Sequence, residues 1–203
     1  MSLAISKVPV PANEPVRGHV AGSPERASLQ ARLAELSASK IDMPLVIDGK
    51  DVRTGKLGQA VMPHRHSHVL GEFHQGGAKE VRSAIDAALR AQKDWAALPW
   101  EARASVFLKA ADLLAGPYRD TLNAATMLGQ SKTCHQAEID SACELIDFFR
   151  FNAHYYEQLM REQPMSAPGM WNRMEHRGLE GFVFAVTPFN FTSIARNLPT
   201  APA

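Results

Sequence analysis

The residues whose types could do chemistry lie together in one short segment near the C-terminus, Thr187–Thr192, which reads TPFNFT. Asn190 in this segment carries a neutral amide N–H donor, and such a donor can stabilise a developing oxyanion at any pH. Pro188 stiffens the backbone just before it. A structural interpretation stands beside the chemical one, since an asparagine next to a turn proline often caps a following helix. The residues alone leave both interpretations open.

A strand is expected to present this segment. Gly181–Val186 is a continuous apolar run without alternation, which is typical of a strand buried on both faces of a parallel sheet. Ligands collect at the carboxyl ends of such strands, so Thr187–Thr192 lies where a site is expected. Only 17 residues, 187–203, follow the run. They are too few for a crossover and a second parallel strand, and the sequence therefore predicts an incomplete domain.

Apolar residues at helical spacing predict four amphipathic helices before this strand. Breaks at Gly116-Pro117 and Pro164 separate or end them. The helices are expected over residues 78–98, from about 101 to 116, over 118–129, and from about 136 to 160.

The first quarter of the chain shows local signals of other kinds. Its prolines predict an extended arm held by docking, and Ser23-Pro24 marks the start of a short helix. Asp48-Gly49 inside an apolar run predicts a β-hairpin. Further strands are expected within 61–73 and, as a polar edge strand, over 172–177.

These elements predict an α/β fold with an incomplete cofactor-binding domain. We expect four parts: an extended arm with a short helix (1–40), a β-hairpin and strand segment (41–77), a helical part (78–163), and a β arm followed by the first core strand and the start of the next helix (164–203).

Composition excludes several classes of partner. Lys and Arg number 22 against 21 for Asp and Glu, and this balance does not favour binding to nucleic acid or to an anionic membrane. No run approaches 18 apolar residues, and the N-terminus resembles neither a signal nor a transit peptide. Two cysteines cannot build a disulfide framework. We expect a cytoplasmic protein that acts on a small molecule.

Four histidines raise the question of a metal site. His64, His66 and His68 alternate along a predicted strand, with His74 nearby, so they could share one face. No carboxylate or cysteine completes a ligand set, and histidines in polar segments are usually solvated. We expect no metal.

A longer stretch around the candidate site, Gly178–Thr192, resembles the aldehyde dehydrogenase superfamily. Within it, the chain is similar to the 1-pyrroline-5-carboxylate dehydrogenase branch, which oxidises L-glutamate γ-semialdehyde. The resemblance runs from about Asn13 to Ala203 and corresponds to about the first third of a family member. The other segments that carry it are Asn13–Val16, Gly22–Arg26, Phe107–Asp112, Gln136–Asp140 and Glu144–Ala153.

This resemblance implies roles for the TPFNFT residues. Asn190 matches the asparagine that, with a backbone amide, holds the oxyanion of the thiohemiacetal. Thr187, Pro188 and Phe189 stand on the side that binds NAD. Phe191 matches an aromatic residue that shapes the aldehyde tunnel.

Glu144 receives a role by the same resemblance. On spacing alone it is a solvated helix acid, but the surrounding match places it at the amino-acid end of the substrate. A carboxylate there suits an α-ammonium group.

The resemblance also implies what the chain lacks. The nucleophilic cysteine, the general-base glutamate, the ribose-binding lysine and the glycine turn near the pyrophosphate all fall after Ala203. Cys134 and Cys143 lie in the wrong segments for the nucleophile. Arg196 stands where a glycine is usual, which predicts a poorer approach for the dinucleotide.

Two functional hypotheses follow. In the first, the chain is the N-terminal part of an NAD-dependent glutamate-semialdehyde dehydrogenase of proline catabolism, inactive alone and a homo-oligomer at full length. In the second, it is a non-catalytic helical interaction or assembly module derived from that family.

Overall fold

A computed structural model describes residues 6–200, apart from the side chains of residues 198 and 199. The parts predicted at the two ends of the chain, 1–40 and 164–203, therefore lie partly outside the described residues. Helices and strands occur together, which confirms the α/β class. No helix among the described residues is long and apolar enough to cross a membrane.

The first helix begins where the sequence predicts. Helix α1 spans Pro24–Ala38, and the Ser23 hydroxyl accepts a hydrogen bond of 3.3 Å from the Arg26 N–H. Proline fits the first helical position because its missing N–H would have no partner there. Leu29 is buried, and α1 packs against helix α4, Arg119–Gln130.

Within residues 6–200, five strands follow and form two small sheets. The strands are β1 (Ile41–Met43), β2 (Leu45–Ile47), β3 (Lys50–Val52), β4 (Leu57–Met62) and β5 (Arg65–His74). Strands β2 and β3 form the predicted hairpin. Asp48 and Gly49 have φ values of 55° and 69°, as a tight two-residue turn requires. In the second sheet, β5 lies between β1, to which it is parallel, and β4, to which it is antiparallel.

The strand expected within 61–73 is present as β5, but it does not cover the whole stretch. A turn at residues 63 and 64 divides this stretch between β4 and β5, which pair with each other. Pro63 lies in this turn, and proline is a common turn residue. The division of the stretch was therefore readable from the sequence.

Gly71 of β5 is required by the close approach of β1. A Cβ atom at this position would lie 2.3 Å from the Ile41 carbonyl oxygen. We expect Gly71→Ala to lower the free energy of unfolding by roughly 2 kcal/mol, because the backbone of β1 must shift. Urea unfolding measures this, with Gly129→Ala on α4 as control. Nothing lies within 4 Å of a Cβ there, so that variant should be neutral or stabilising. Equal stability of Gly71→Ala and wild type would contradict the parallel pairing.

The four predicted helices are confirmed, with one interruption. They are α2 (Ala78–Ala97), α3 (Trp100–Ala115), α4, and a long unit made of α5 (Cys134–Ala137), a π-helical segment (Glu138–Cys143) and α6 (Glu144–Arg161). The π-helical segment was not predicted. The core lies where α3 packs on α6, around Ala111, Ala142, Leu145, Ile146 and Phe149.

Neither strand predicted near the C-terminus forms. Residues 172–177 and Gly181–Val186 pair with none of the five strands, and Phe184 and Val186 are 80% and 76% exposed. The expectation of a buried first core strand is therefore wrong for these residues. A strand needs neighbours that bind its N–H and C=O groups, and the described part of the chain supplies none to this segment. A short 3₁₀ helix, Ile194–Arg196, and helix α7, Asn197–Thr200, follow.

The N-terminal arm docks on the helices, as predicted. Arg119 is 1% exposed; its Nη2 donates to the Pro15 carbonyl oxygen at 2.7 Å, and its guanidinium also bonds Glu14. The Arg17 N–H donates to Glu138 at 2.8 Å. Arg119 and Glu138 form a buried ion pair in which Nε lies 3.1 Å from Oε1. The arm is thus attached through side chains of α4 and the π-helical segment.

Candidate active site

The loop that carries Asn190 is fixed to the helices by a chain of buried hydroxyl groups. The Ser193 hydroxyl donates to the Ser141 carbonyl oxygen at 2.5 Å and lies 2.9 Å from the Ser141 hydroxyl. The Thr126 hydroxyl of α4 lies 2.7 Å from the same Ser141 hydroxyl. All three residues are buried. The loop is therefore held against the π-helical segment and α4, and π-helical turns often occur at functional sites.

Two weaker contacts hold the loop on either side of Asn190. The Gln130 side-chain N–H donates to the Phe189 carbonyl oxygen at 3.2 Å. The ammonium group of Lys132 lies 4.4 Å from the centre of the Phe191 ring, within cation–π distance. Residues on both sides of Asn190 thus contact the end of α4 and the loop that follows it.

Asn190 itself is exposed, and its side chain has no hydrogen-bond partner in the described part of the chain. The helix that follows begins at Ile194, with Ser193 at the capping position and no side-chain cap. The structural interpretation of Asn190 as a helix cap is therefore wrong. A free amide beside two anchored aromatic residues is available to a ligand.

Glu144 lies at the start of α6 and is half-buried. Burial raises the pKa of its carboxyl group, and so does the negative charge of Asp140. Lys132 acts in the opposite direction. It also forms an ion pair of 2.7 Å with Asp140. Glu144 and Phe191, both predicted to bind substrate, are therefore linked through one lysine.

Sequence reasoning missed Lys132 and Ser193. A single lysine between two helices has no periodicity, and a serine after TPFNFT looks like part of an ordinary turn. The one available signal was that Lys132 precedes Asp140 by eight residues, with the start of a helix between them. This spacing predicts an ion pair only when the position of the helix is known.

Neither cysteine is suited to nucleophilic chemistry. Cys143 is buried, and burial raises the pKa of its thiol to about 11. Burial also raises the pKa of Cys134. Both thiols therefore stay protonated at neutral pH, whereas catalytic cysteines have lowered pKa values.

This gives a testable result for the thiols. At pH 8 a thiol of pKa 11 is about 0.1% thiolate, and it is also inaccessible. We expect iodoacetamide to label Cys143 in the folded chain at least about a hundredfold more slowly than an exposed peptide thiol. In urea, where the chain is unfolded, the two thiols should be labelled at the same rate. Mass spectrometry of the labelled peptides measures both rates. Rapid native labelling would contradict the burial of Cys143.

The histidines serve separate contacts. His64 Nδ1 lies 2.7 Å from the Ser131 hydroxyl, whereas His74 accepts the Gly55 N–H and lies 3.2 Å from Asp42. Within residues 6–200, no group of three or more potential ligand side chains could hold a metal ion.

The sequence profile of the aldehyde dehydrogenase family matches residues 52–203. The chain belongs to the aldehyde dehydrogenase family. This aldehyde dehydrogenase chain is 52% identical over 203 residues to the delta-1-pyrroline-5-carboxylate dehydrogenase of Agaricus bisporus, covering 99% of the chain and 37% of that protein. It is 48% identical to the human mitochondrial delta-1-pyrroline-5-carboxylate dehydrogenase over 192 residues, covering 95% of the chain and 34% of that protein.

Solved structures agree with the assignment to this family. The delta-pyrroline-5-carboxylate dehydrogenase from Mycobacterium tuberculosis superposes with a TM-score of 0.95 at 54% identity, over 98% of this chain and 37% of that one. The same TM-score is found for the form of that enzyme bound with NAD. The aldehyde dehydrogenase chain thus spans a little over a third of the length of these relatives and corresponds to their N-terminal part.

Proposed function

We propose that residues 1–203 are the N-terminal part of an NAD-dependent enzyme that oxidises L-glutamate γ-semialdehyde to glutamate. The observation that carries this proposal is the 54% identity and TM-score of 0.95 to the M. tuberculosis enzyme over nearly the whole chain. The anchored loop with a free Asn190 amide supports it, because acyl-transfer chemistry requires a fixed donor of this kind.

Asn190 is proposed to act on the oxygen of the aldehyde. When a thiolate from the rest of the enzyme adds to the carbonyl carbon, the oxygen becomes an oxyanion, and the Asn190 N–H donates to it. The carbonyl bond re-forms as hydride leaves, which gives a thioester. Water then cleaves the thioester to glutamate and releases the thiolate. Asn190 supplies stabilisation throughout without itself gaining or losing a proton.

The residues proposed to face NAD are accessible from solvent. Thr187, Pro188 and Phe189 are exposed, and the Thr187 hydroxyl has no partner among residues 6–200. The Phe189 ring is 96% exposed. A flat ligand that stacks on such a ring removes its apolar surface from water, which stabilises the complex. When bound, NAD accepts the hydride. Arg196 is exposed as well, and its guanidinium group has no partner among residues 6–200.

Further features of the whole enzyme are part of the proposal. The four-part division at residues 40, 77 and 163 is one of them, and the order of helix α1, the strands and the later helices along the chain supports it. We propose that the complete enzyme is a homo-oligomer that binds this small substrate and neither nucleic acid nor membrane. A cytoplasmic location stays a prediction, since relatives from Emericella nidulans and Bos taurus are named as mitochondrial.

Glu144 provides a test of substrate choice. The assay uses a restored enzyme, defined as residues 1–203 followed by the part of the M. tuberculosis enzyme that they do not match. We expect Glu144→Ala to lower kcat/KM for glutamate semialdehyde by about 10- to 100-fold, because the substrate's ammonium group loses its partner. A simple aliphatic aldehyde should lose less than about threefold.

The control for this test is Glu162→Ala, which removes an exposed acid at the other end of α6. Glu162→Ala should leave kcat/KM unchanged for both substrates.

Lowering the pH should have the same effect on kcat/KM as Glu144→Ala, because protonation removes the negative charge of Glu144. Burial raises the pKa of Glu144, so its charge, and with it substrate affinity, is lost at a higher pH than for an ordinary glutamate. An equal loss of kcat/KM for both aldehydes would show that Glu144 does not recognise the ammonium group of the substrate.

A further inference from the structure

Lys132 lies in the loop between α4 and α5, at the centre of the candidate site. Its Nζ is 2.7 Å from Asp140 Oδ2 and 4.4 Å from the centre of the Phe191 ring. Only 16% of its side chain is exposed, so its charge is largely removed from water. A cation in this situation needs nearby groups that replace its hydration, and Asp140 and the Phe191 ring are those groups.

Lys132 also acts on Glu144. The charged groups that influence this carboxyl are Asp140, Lys132 and Asp147. Burial and the two acids favour its neutral form, and Lys132 is the one cation in the described part of the chain that favours its ionised form. An ionised carboxylate is the form that could pair with an ammonium group.

We propose that Lys132 is a positioning residue of the substrate pocket, held by Asp140 so that it fixes the Phe191 ring and steadies the charge of Glu144. It acts through these two residues and makes no contact with the reacting atoms. The inference rests on the proposed function for the roles of Phe191 and Glu144. Its electrostatic part is measurable without turnover.

The first test uses the 203-residue chain with ¹³C-labelled glutamate side chains. We expect Lys132→Met to raise the pKa of Glu144 measurably above its wild-type value, because a favourable cation is lost. Lys132→Arg should keep the wild-type titration. Lys109→Met removes an exposed lysine on α3 and should also keep it. An unchanged Glu144 titration in Lys132→Met would overturn the proposal.

A second measurement does not depend on the stability of the Lys132 variants. The ring current of Phe191 should move the ε-methylene proton signals of Lys132 upfield in the wild-type chain. Phe191→Leu should abolish that displacement while Lys132 is retained. Lys132 signals that are identical in the two proteins would contradict the ring contact.

The third test uses the restored enzyme. Lys132→Met should raise KM for glutamate semialdehyde about tenfold and KM for an aliphatic aldehyde clearly less, because only the former substrate uses the charge of Glu144, and Lys132→Arg should restore both values. Equal losses on both substrates would indicate a merely structural lysine and overturn the proposal. A restored enzyme without any turnover contradicts the proposed function instead, and the titration still decides the role of Lys132.

Discussion

Replacement of Arg119 by Met is expected to lower the free energy of unfolding by about 3–5 kcal/mol. The guanidinium group is buried against Glu138, which is itself fully buried, and it also holds Glu14 and the Pro15 carbonyl of the arm. Methionine fills part of the space but leaves the buried Glu138 carboxylate without its cation, whereas Glu14 keeps its ion pair with Arg150. Leaving a buried charge unpaired costs far more than an intact pair contributes. Urea unfolding followed by circular dichroism measures the loss.

A surface pair provides the matched control for Arg119. Arg32 bonds Glu35 at 2.7 Å on the exposed side of α1, and exposed pairs contribute at most about 1 kcal/mol. Arg32→Met should therefore change stability by less than that. The arm should respond as well, since limited proteolysis is expected to cut near residue 17 much faster in Arg119→Met. A variant as stable as Arg32→Met would contradict the buried network.

The same network predicts the direction of the pH dependence of stability. Burial raises the pKa of Glu138, but hydrogen bonds from Arg119, the Arg17 N–H and Asn123 outweigh it and hold the pKa below its ordinary value. A carboxyl with a lowered folded-state pKa contributes stability above its unfolded pKa of about 4.3 and loses it as the pH falls. Glu138→Gln should lack this part of the acid-induced loss.

Replacement of Asn190 by Ala in the restored enzyme is expected to lower kcat about 100- to 1,000-fold for every aldehyde tested. The loss is general because the oxyanion forms on the aldehyde carbon whatever lies at the other end of the substrate. This separates Asn190 from Glu144, whose effect depends on the ammonium group. NADH absorbance at saturating substrate measures kcat.

The control for Asn190 is Thr192→Ala, an exposed residue two positions further along the same loop. It leaves the Ser193 anchor in place and should stay within about threefold of wild type. Ser193→Ala removes that anchor and should resemble Asn190→Ala more than Thr192→Ala, because the donor is then no longer fixed. An Asn190→Ala enzyme within threefold of wild type would remove this residue from the mechanism.

The sequence predicts those parts of the fold that local signals determine. Helix α2 ends one residue before its predicted boundary, and the Asp48-Gly49 hairpin forms as expected. The capping serine and following proline mark the start of α1. In each case the residues that decide the conformation are neighbours in the sequence, so the pattern is sufficient.

Other parts depend on partners that a pattern does not display. Gly181–Val186 has the composition of a buried strand but lacks a pairing strand within residues 6–200, and it forms no regular secondary structure and is largely exposed. The π-helical segment depends on two buried attachments, Glu138 to Arg119 and Ser141 to Ser193, which come from distant parts of the chain. The position of Lys132 likewise depends on a contact with a distant part of the chain, the Phe191 ring.

The central claim is that this chain contributes a working oxyanion donor and substrate pocket to a glutamate-semialdehyde dehydrogenase. The most direct measurement is the rate of NADH formation by the restored enzyme with glutamate semialdehyde and NAD, beside the intact M. tuberculosis enzyme. We expect saturable turnover within about tenfold of that enzyme, since 54% of the replaced residues are identical and the folds superpose with a TM-score of 0.95. A folded restored enzyme that forms no NADH above the protein-free rate would contradict the account.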